Sequence, residues 1–378
     1  MNKIIILAIS ICISVCACKP SKDETSSLKT ADRKPLVTNL GNNVILPRYV
    51  ALNTSVNAFD SEVQIFTAAP TIENLTSLRI KFYQAYIDWE YVACFEFGPA
   101  AASTVNLGTK TVNAFPADTA VIKNKIVQGV TAIPPTNSAM YSGFPAIDYL
   151  LFAKSLTAQQ IVDSFTVSST AVKRCNYLKT VSSDLKARIN TTYTNWTASG
   201  ANFISLYTNS TGIDLGSATS QTVNMLVADV ENIKNFKLGI PLNIIQNVVV
   251  GDGSTVNPFK CEGYHSDSSL VLAKASIESL RKLYLGIGAD GTDGEGFDNY
   301  LEAIDRSGLN VQIKNQIALL QAKLDAIPAP ISIAIKNPAG KQAVNEAYTE
   351  TLHLLVLLKV DMASAIGVMI SYGDTDGD

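Results

Sequence analysis

The feature that most constrains the fold is a set of apolar residues that recur at alternating spacings of three and four along the chain. A helix with 3.6 residues per turn brings residues at these spacings to one side, so each series predicts a helix with one buried face. The first series consists of Ile45, Tyr49, Leu52, Val56, Phe59, Val63 and Phe66. Similar series, bounded by Gly, Pro or Ser/Thr clusters, occur over residues 75–92, 181–189, 223–233, 270–284 and 313–327.

These series predict an all-α fold, since alternating strand patterns are scarce and residues 247–253 offer only a short strand candidate. A chain of 378 residues is too long for a single hydrophobic core of ordinary size, and its length suggests two domains. The polar, small-residue stretch 197–221 is the best place to divide them. We therefore expect two helical-bundle domains packed side by side, at 41–205 and 215–378.

Composition excludes two classes of protein. Hydrophobic residues make up 47% and charged residues 17% of the chain, which provides a large core and argues against a disordered protein. The 30 basic and 33 acidic side chains give a formal net charge of -3. That charge creates no field to attract nucleic acid, so nucleic-acid binding is not expected.

The N-terminus has the features of an export signal. Lys3 precedes an apolar run, Ile4 to Val15, that is too short to span a bilayer and is followed by small residues. The stretch from Val15 to Cys18 resembles a bacterial lipoprotein box, which predicts a signal peptide at 1–17 and a lipid on the Cys18 thiol. Secretion with cleavage nearby is the alternative. Residues 18–40 are mostly polar and predict a flexible tether.

A lipid on Cys18 would attach the protein to the bacterial outer membrane, facing either the periplasm or the cell surface. The tether contains Lys22-Asp23-Glu24, which resembles a signal that some bacterial lipoproteins use to reach the cell surface. A solvated linker explains the same residues equally well. The predicted partner is thus the membrane, and the sequence indicates no particular protein partner.

Three cysteines remain beyond Cys18, and they are widely spaced. Cys94, Cys175 and Cys261 have the spacing of neither a disulfide framework nor a thiolate zinc site. One disulfide among them is possible in an oxidising envelope, but buried thiols are favoured.

The stretch CEGYHSDSSL contains three side chains of ligand type, Glu262, His265 and Asp267, just before a helical series. In one interpretation Ser266, Asp267 or Ser268 caps that helix and the others are surface groups. In the other, a carboxylate and an imidazole at a helix start point into a cleft between the domains.

Several segments, taken in order, resemble the imelysin-like family of bacterial envelope proteins. YIDWEYVACFEFGP (86–99) resembles the family's tryptophan helix, and KRCNYLKTVSSDLKARINTTYTNW resembles its arginine helix. NFKLGIPLN, the CEGYHSDSSL segment and the C-terminal LKVDMASAIGVMISYGDTDGD follow in matching order. The resemblance implies an all-helical fold of two bundle-like domains with a site where they meet. It also implies a metallopeptidase label and a link to iron uptake.

The segment GFPAIDYLLF falls where the family carries a Gly-x-His-x-x-Glu motif, and here the motif is degenerate. By position, Gly143 matches the glycine, followed by Phe144; Pro145 replaces the histidine and Asp148 replaces the glutamate. Proline cannot bind a metal, so an unchanged metal site is not expected. Proline suits a helix start, and we expect Pro145 to open a helix with Asp148 facing out of its first turn, stabilised by the helix dipole.

These observations predict a lipid-anchored, non-enzymatic envelope protein that binds a metal or metal complex in iron acquisition. The expected ligands are Asp148 with Glu96, and the Glu262, His265 and Asp267 group. Such oxygen-rich ligands suit a divalent or iron cation. The alternatives are a metal-dependent peptidase and a structural or interaction module of the envelope. An enzyme is not favoured, since the motif histidine is absent and no catalytic residue is identified.

Overall fold

The computed structural model describes residues 29–246, 249–250 and 255–371. The predicted signal peptide, the lipidated Cys18 and the first part of the tether lie outside these ranges. The division into domains at 41–205 and 215–378 stays a prediction, and we call the two stretches the first and second halves.

The first half is helical. Its long helices α2, α3 and α8 pack together, with α2 between the other two. A π-helical segment, Leu40–Ile45, joins α1 to α2 without a break in the helix. The helices are α1 (Lys34–Asn39), α2 (Leu46–Ala68), α3 (Ile72–Glu90), α4 (Thr109–Val112), α5 (Thr119–Gln128), α6 (Gly143–Phe152), α7 (Ala158–Thr166), α8 (Ala171–Trp196) and α9 (Phe203–Asn209).

The second half is also mainly helical. Further π-helical segments, Ile233–Gly239 and Leu357–Met362, follow α10 and α15, and two short strands pair antiparallel. Strand β2 lies within the predicted strand 247–253; the rest of that stretch is outside the described residues. The elements are α10 (Ala218–Asn232), β1 (Ile245–Gln246), β2 (Val249–Val250), α11 (Ser269–Tyr284), α12 (Phe297–Ala303), α13 (Ser307–Asp325), α14 (Ile331–Ala334), α15 (Pro338–Val356) and α16 (Ala363–Ile366).

The predicted series are buried, which confirms the all-α fold. Every member of the first series, from Ile45 to Phe66, lies in the core. Helix α3 of the first half packs against α11 of the second, and buried side chains form one continuous core through both halves. Burial of each apolar face against its neighbours is therefore what holds the helices together.

The structure corrects the expected end of the tether. Helix α1 begins at Lys34, so the predicted tether, 18–40, extends too far. Near the C-terminus, Leu352, Val356 and Val360 are exposed along one face of the helical stretch. Within the described ranges, none of the helices has the length and apolar character needed to span a membrane.

The three remaining cysteines are free thiols, as the sequence favoured. Cys94 and Cys261 are buried and Cys175 is half-buried. Burial raises the pKa of Cys261 to about 12, so its thiol stays protonated.

Two residues fix the position of α6 and the loops around it. Gly143 has a φ of +68°, and a Cβ atom there would lie 2.1 Å from the carbonyl oxygen of Val112, so only glycine fits. Arg188, the buried arginine of α8, donates to the carbonyl oxygens of Val105 at 2.7 Å and Pro134 at 3.3 Å. These contacts hold the 102–142 region against α6 and α8.

Candidate functional site

A cavity of about 440 Å³ lies between the two halves of the chain. Its first-half wall includes Phe115, Pro145 and Asp148, and its second-half wall includes Phe259 and His265. The degenerate motif and the CEGYHSDSSL segment therefore meet at one cavity, as the cleft interpretation expected.

Asp148 does not occupy the position predicted for it. Helix α6 begins at Gly143, so Pro145 is its third residue and Asp148, its sixth, lies in the second turn. Proline is tolerated there because the first four N–H groups of a helix have no intrahelical acceptor. Asp148 is only 2% exposed, so the expectation of an outward-facing acid held by the helix dipole is wrong.

The carboxylate of Asp148 instead holds the second-half loop. Its oxygens accept the backbone N–H groups of His265 at 2.9 Å and Ser266 at 3.1 Å. Burial raises the pKa of Asp148 to about 6, although these hydrogen bonds favour the ionised form. The residue at the glutamate position of the motif thus links the two halves through backbone donors.

The polar residues at positions 265–268 of the CEGYHSDSSL segment make separate contacts. His265 lines the cavity, with its ring 5.2 Å from that of Tyr149. Asp267, with a φ of +56°, forms an ion pair with Lys154. Ser268 occupies the N-cap position of α11 but makes no side-chain capping hydrogen bond. The segment therefore supplies separate contacts and not a shared set of ligands.

Glu262 points away from the cavity into a buried cluster of charges. Its carboxylate accepts from Lys237 Nζ at 2.5 Å and from Asn113 Nδ2 at 2.6 Å. Lys237 also donates to Glu90 at 2.7 Å, and Glu90 accepts from Ser276 Oγ at 2.5 Å. All of these side chains are buried. We call Glu90, Lys237 and Glu262 the interhalf ion cluster, since Glu90 belongs to the first half.

Two carboxylates share one ammonium group in this cluster. Burial, and next the charge of Glu262, hold the pKa of Glu90 well above its usual range. Burial alone would lower the pKa of Lys237, but both carboxylates outweigh it and hold that pKa above normal. Within the described residues, Glu90 Oε1 has no hydrogen-bond partner. A proton on Glu90 would relieve the excess negative charge.

Glu96 does not join Asp148. Its Oε1 accepts the backbone N–H of Thr109 at the start of α4, and the side chain is largely buried. Burial raises its pKa. The expected pairing of Glu96 with Asp148 is replaced by a local structural contact that holds the 108–112 segment.

Sequence reasoning missed Glu90, Lys237 and Asp229. Asp229 is buried in α10, and burial raises its pKa to about 7 while the charge of Lys237 opposes the shift. A second cavity, of about 190 Å³, is lined by Lys237, Asn113 and Phe115 and so shares Phe115 with the first. Lys237 lies in a π-helical segment, a feature that is frequent at functional sites, but the sequence carries no signal that marks it.

The residues at the cavity do not fit a resident metal ion. In the part of the chain that the structure describes, no group of three or more His, Cys, Asp or Glu side chains is arranged to hold one. Asp148 is bound to two backbone donors, and Pro145 has no donor atom to offer. Among the described residues, the cavity therefore offers no set of ligands for a resident iron ion.

Comparison with known proteins decides the family. The model of a peptidase M75 family described as Imelysin matches residues 45–358. The chain belongs to the imelysin family. The match covers the degenerate motif, both cavity walls and all three residues of the interhalf ion cluster.

The relatives of this imelysin-family chain are distant in sequence. It is 25% identical over 313 residues to iron-regulated protein A of Synechococcus elongatus, covering 81% of this chain and 79% of that protein. It is similar to the crystal structure of a putative iron-regulated protein A precursor from Parabacteroides distasonis, with a TM-score of 0.71 and 19% identity. It is also similar to the crystal structure of an imelysin-like protein from Psychrobacter arcticum, with a TM-score of 0.66 and 19% identity. Each alignment covers 90% of this chain and 97% of the solved one, and confirms the fold.

The interhalf ion cluster predicts that Lys237→Met strongly destabilises the protein. The change leaves two carboxylates buried without their cation, which typically costs about 3–5 kcal/mol. The free energy of unfolding from urea titration measures the loss. The matched control is Lys29→Met, because Lys29 forms an exposed ion pair with Asp305 at 2.7 Å. Such a pair contributes about 1 kcal/mol or less. Equal effects of the two changes would contradict the importance of the cluster.

Asp229 predicts a specific dependence of stability on pH. Its pKa rises from 3.8 to about 7 on folding, so its favourable contribution is complete below pH 4 and is lost as the pH rises through 7. Asp229→Asn removes this titration. As the pH rises from 5 to 8, the stability of the variant relative to the wild type should increase by at most roughly 3 kcal/mol, because about two pKa units of the shift titrate in this range. Urea unfolding at both pH values tests this, with exposed Asp305→Asn as control. A pH-independent difference would refute it.

Proposed function

We propose that this protein is a non-enzymatic binding protein of the bacterial envelope that takes part in iron acquisition by holding an iron-containing complex between its two halves. The observation that carries the proposal is the cavity of about 440 Å³ at the position of the family motif. Two of the relatives are named iron-regulated protein A, which supports a role related to iron.

The contacts around the cavity support binding more than chemistry. Asp148 is held by backbone N–H groups, and the Cys261 thiol that lines the cavity stays protonated. A nucleophile needs a base beside it or a lowered pKa. No contact among the described residues favours the peptidase or interaction-module alternatives, which stay predictions.

The proposal includes attachment to the outer membrane through lipid on Cys18. Its support is the sequence of the Val15 to Cys18 stretch and the polar residues that follow. The binding domains would then lie within reach of the membrane at the end of the tether. Whether the protein faces the periplasm or the cell surface would depend on whether the tether acts as a signal for transport to the surface.

Iron content provides the test of binding. We expect protein purified from its native host under iron-replete growth to carry iron, measured by mass spectrometry of the metal. Asp148→Asn should reduce that iron at least fivefold. The carboxylate of Asp148 accepts the backbone N–H groups of His265 and Ser266 at the cavity wall, and the amide has only one acceptor oxygen for these two donors. Asp305→Asn, on the exposed surface, is the control. Iron-free wild-type protein that also fails to bind ferric citrate would refute the iron role.

Lipid attachment is tested separately from binding. Cys18→Ala should shift the protein from the membrane fraction to the soluble fraction, because the thiol that carries the lipid is gone. Cys175→Ala, which removes a half-buried thiol elsewhere, should leave the distribution unchanged. Membrane association that survives Cys18→Ala would refute the anchor, and protease treatment of intact cells would distinguish the cell surface from the periplasm.

A further inference from the structure

The cavity between the two halves has a negatively charged wall. Among the described residues that line it, Asp118 and Asp148 are carboxylates and none is a lysine or an arginine. Its imidazole, His265, is neutral at pH 7, because burial and next the charge of Lys154 lower its pKa to about 4. Lys154 itself lies outside the lining and is paired with Asp267. The charge of the wall therefore favours a cationic ligand.

Asp148 is a buried carboxylate without a cationic partner. It is 2% exposed, and its oxygens accept the backbone N–H groups of His265 and Ser266. It forms no ion pair within the part of the chain that the structure describes. Its pKa of about 6 leaves it mostly ionised at pH 7. Backbone N–H groups stabilise a carboxylate but carry no full charge, and buried charges in proteins are ordinarily paired. A cation in the cavity supplies that pairing.

Asp118 offers an acceptor atom on the same wall. Its Oδ1 caps α5 by accepting the backbone N–H groups of Ala120 at 2.9 Å and Val121 at 3.0 Å. Its Oδ2 accepts no hydrogen bond from any described residue, and the side chain is half-buried. Because the cap uses one oxygen, the other can accept an N–H group of a ligand while α5 stays capped.

Aromatic and apolar side chains make up much of the remaining wall. Met140 and Phe115 belong to the first half and Phe259 to the second, and Phe259 is 52% exposed. The face of an aromatic ring attracts a cation. The edge of the cavity already shows such a contact, since Lys154 Nζ lies 4.8 Å from the centre of the Tyr264 ring. The volume of about 440 Å³ falls within the range of small-molecule sites, roughly 300–1,000 Å³.

These residues suit an organic cation better than a bare metal ion. A calcium ion takes about six to eight oxygen ligands, and the described residues hold no group of three or more His, Cys, Asp or Glu side chains arranged for a metal. An ammonium group has three N–H donors and an attached carbon skeleton. Thr119 and Tyr264, which carry hydroxyl groups, also line the cavity and can accept the donors that the carboxylates leave.

We infer that the cavity binds a protonated primary amine with an apolar carbon skeleton. The ammonium group donates to Asp118 Oδ2 and compensates the buried charge of Asp148, while the skeleton packs against Phe115 and Phe259. This inference rests on the proposed function and deepens it, since an iron complex held here would carry the amine on its organic part. An alkylammonium group has a pKa of about 10, as in lysine, and keeps its protons while oxygen atoms elsewhere in the complex hold the metal.

The charge of the ligand is tested with three probes of similar shape. Calorimetry at pH 7 measures binding of 2-phenylethylamine, 2-phenylethanol and 3-phenylpropionate to the purified protein. The amine should bind, the neutral alcohol at least tenfold more weakly, and the anionic propionate more weakly still. Binding of the alcohol or the propionate that equals or exceeds that of the amine would overturn the inference.

The acceptor is tested by two changes at Asp118. Asp118→Asn removes the charge but keeps a good helix cap, and should weaken 2-phenylethylamine about tenfold. Asp118→Glu keeps the charge but is a poorer cap, and should stay within threefold of the wild type. The opposite order would show that only the cap matters and would overturn the inference. Asp305→Asn, an exposed change outside the cavity lining, is the control, and thermal unfolding checks that each variant is folded.

The outcomes separate this inference from the proposed function. If protein purified from its host carries iron but 2-phenylethylamine does not bind, the ligand class is wrong and the iron role stands. If 2-phenylethylamine binds with the expected preference for positive charge but the host protein is iron-free, the ligand class stands and the iron role falls.

Discussion

The buried ion cluster of Glu90, Lys237 and Glu262 is the interaction on which the relation of the two halves depends. Removing charges from water is costly, and it is tolerated only where partners are close and further hydrogen bonds are made. Lys237 meets both carboxylates, while Ser276 and Asn113 supply additional donors. A change in how the halves pack would expose or separate these charges. The cluster therefore favours one arrangement of α3 against the second half.

The helices could be predicted from sequence because their faces are periodic. The series from Ile45 to Phe66 is buried throughout, because a helix places these apolar residues on one face and that face packs against the core. The π-helical segments could not be predicted, because no residue type marks the extra residue in a helical turn. Lys237 was overlooked for a related reason: a single lysine near an apolar series is ordinarily a solvated group. Its partners Glu90 and Glu262 are far away in sequence, and only the fold brings them to it.

The candidate site could be predicted in part. One of the two interpretations of the CEGYHSDSSL segment placed it in a cleft between the halves, and in the structure His265 and Asp148 both line one cavity. The sequence did not indicate that Glu262 and Asp267 turn away from it. Local spacing suggests that three polar residues within six positions act together, but the backbone between them has positive φ at Gly263 and Asp267. These turns direct successive side chains to different neighbours, and their direction depends on contacts with Lys154 and Lys237 in other elements.

The cluster and the cavity are joined by three consecutive residues. Cys261 and Gly263 line the cavity, and Glu262 between them is held in the ion cluster by Lys237 and Asn113. Since the side chain of Glu262 is fixed on one side of this backbone, the cavity wall on the other side is fixed with it. Asp148 fixes the same wall two residues further on, through the N–H of His265. Pro145 therefore contributes no ligand atom to the cavity, but the cavity keeps its shape, because that shape depends on Lys237 and Asp148.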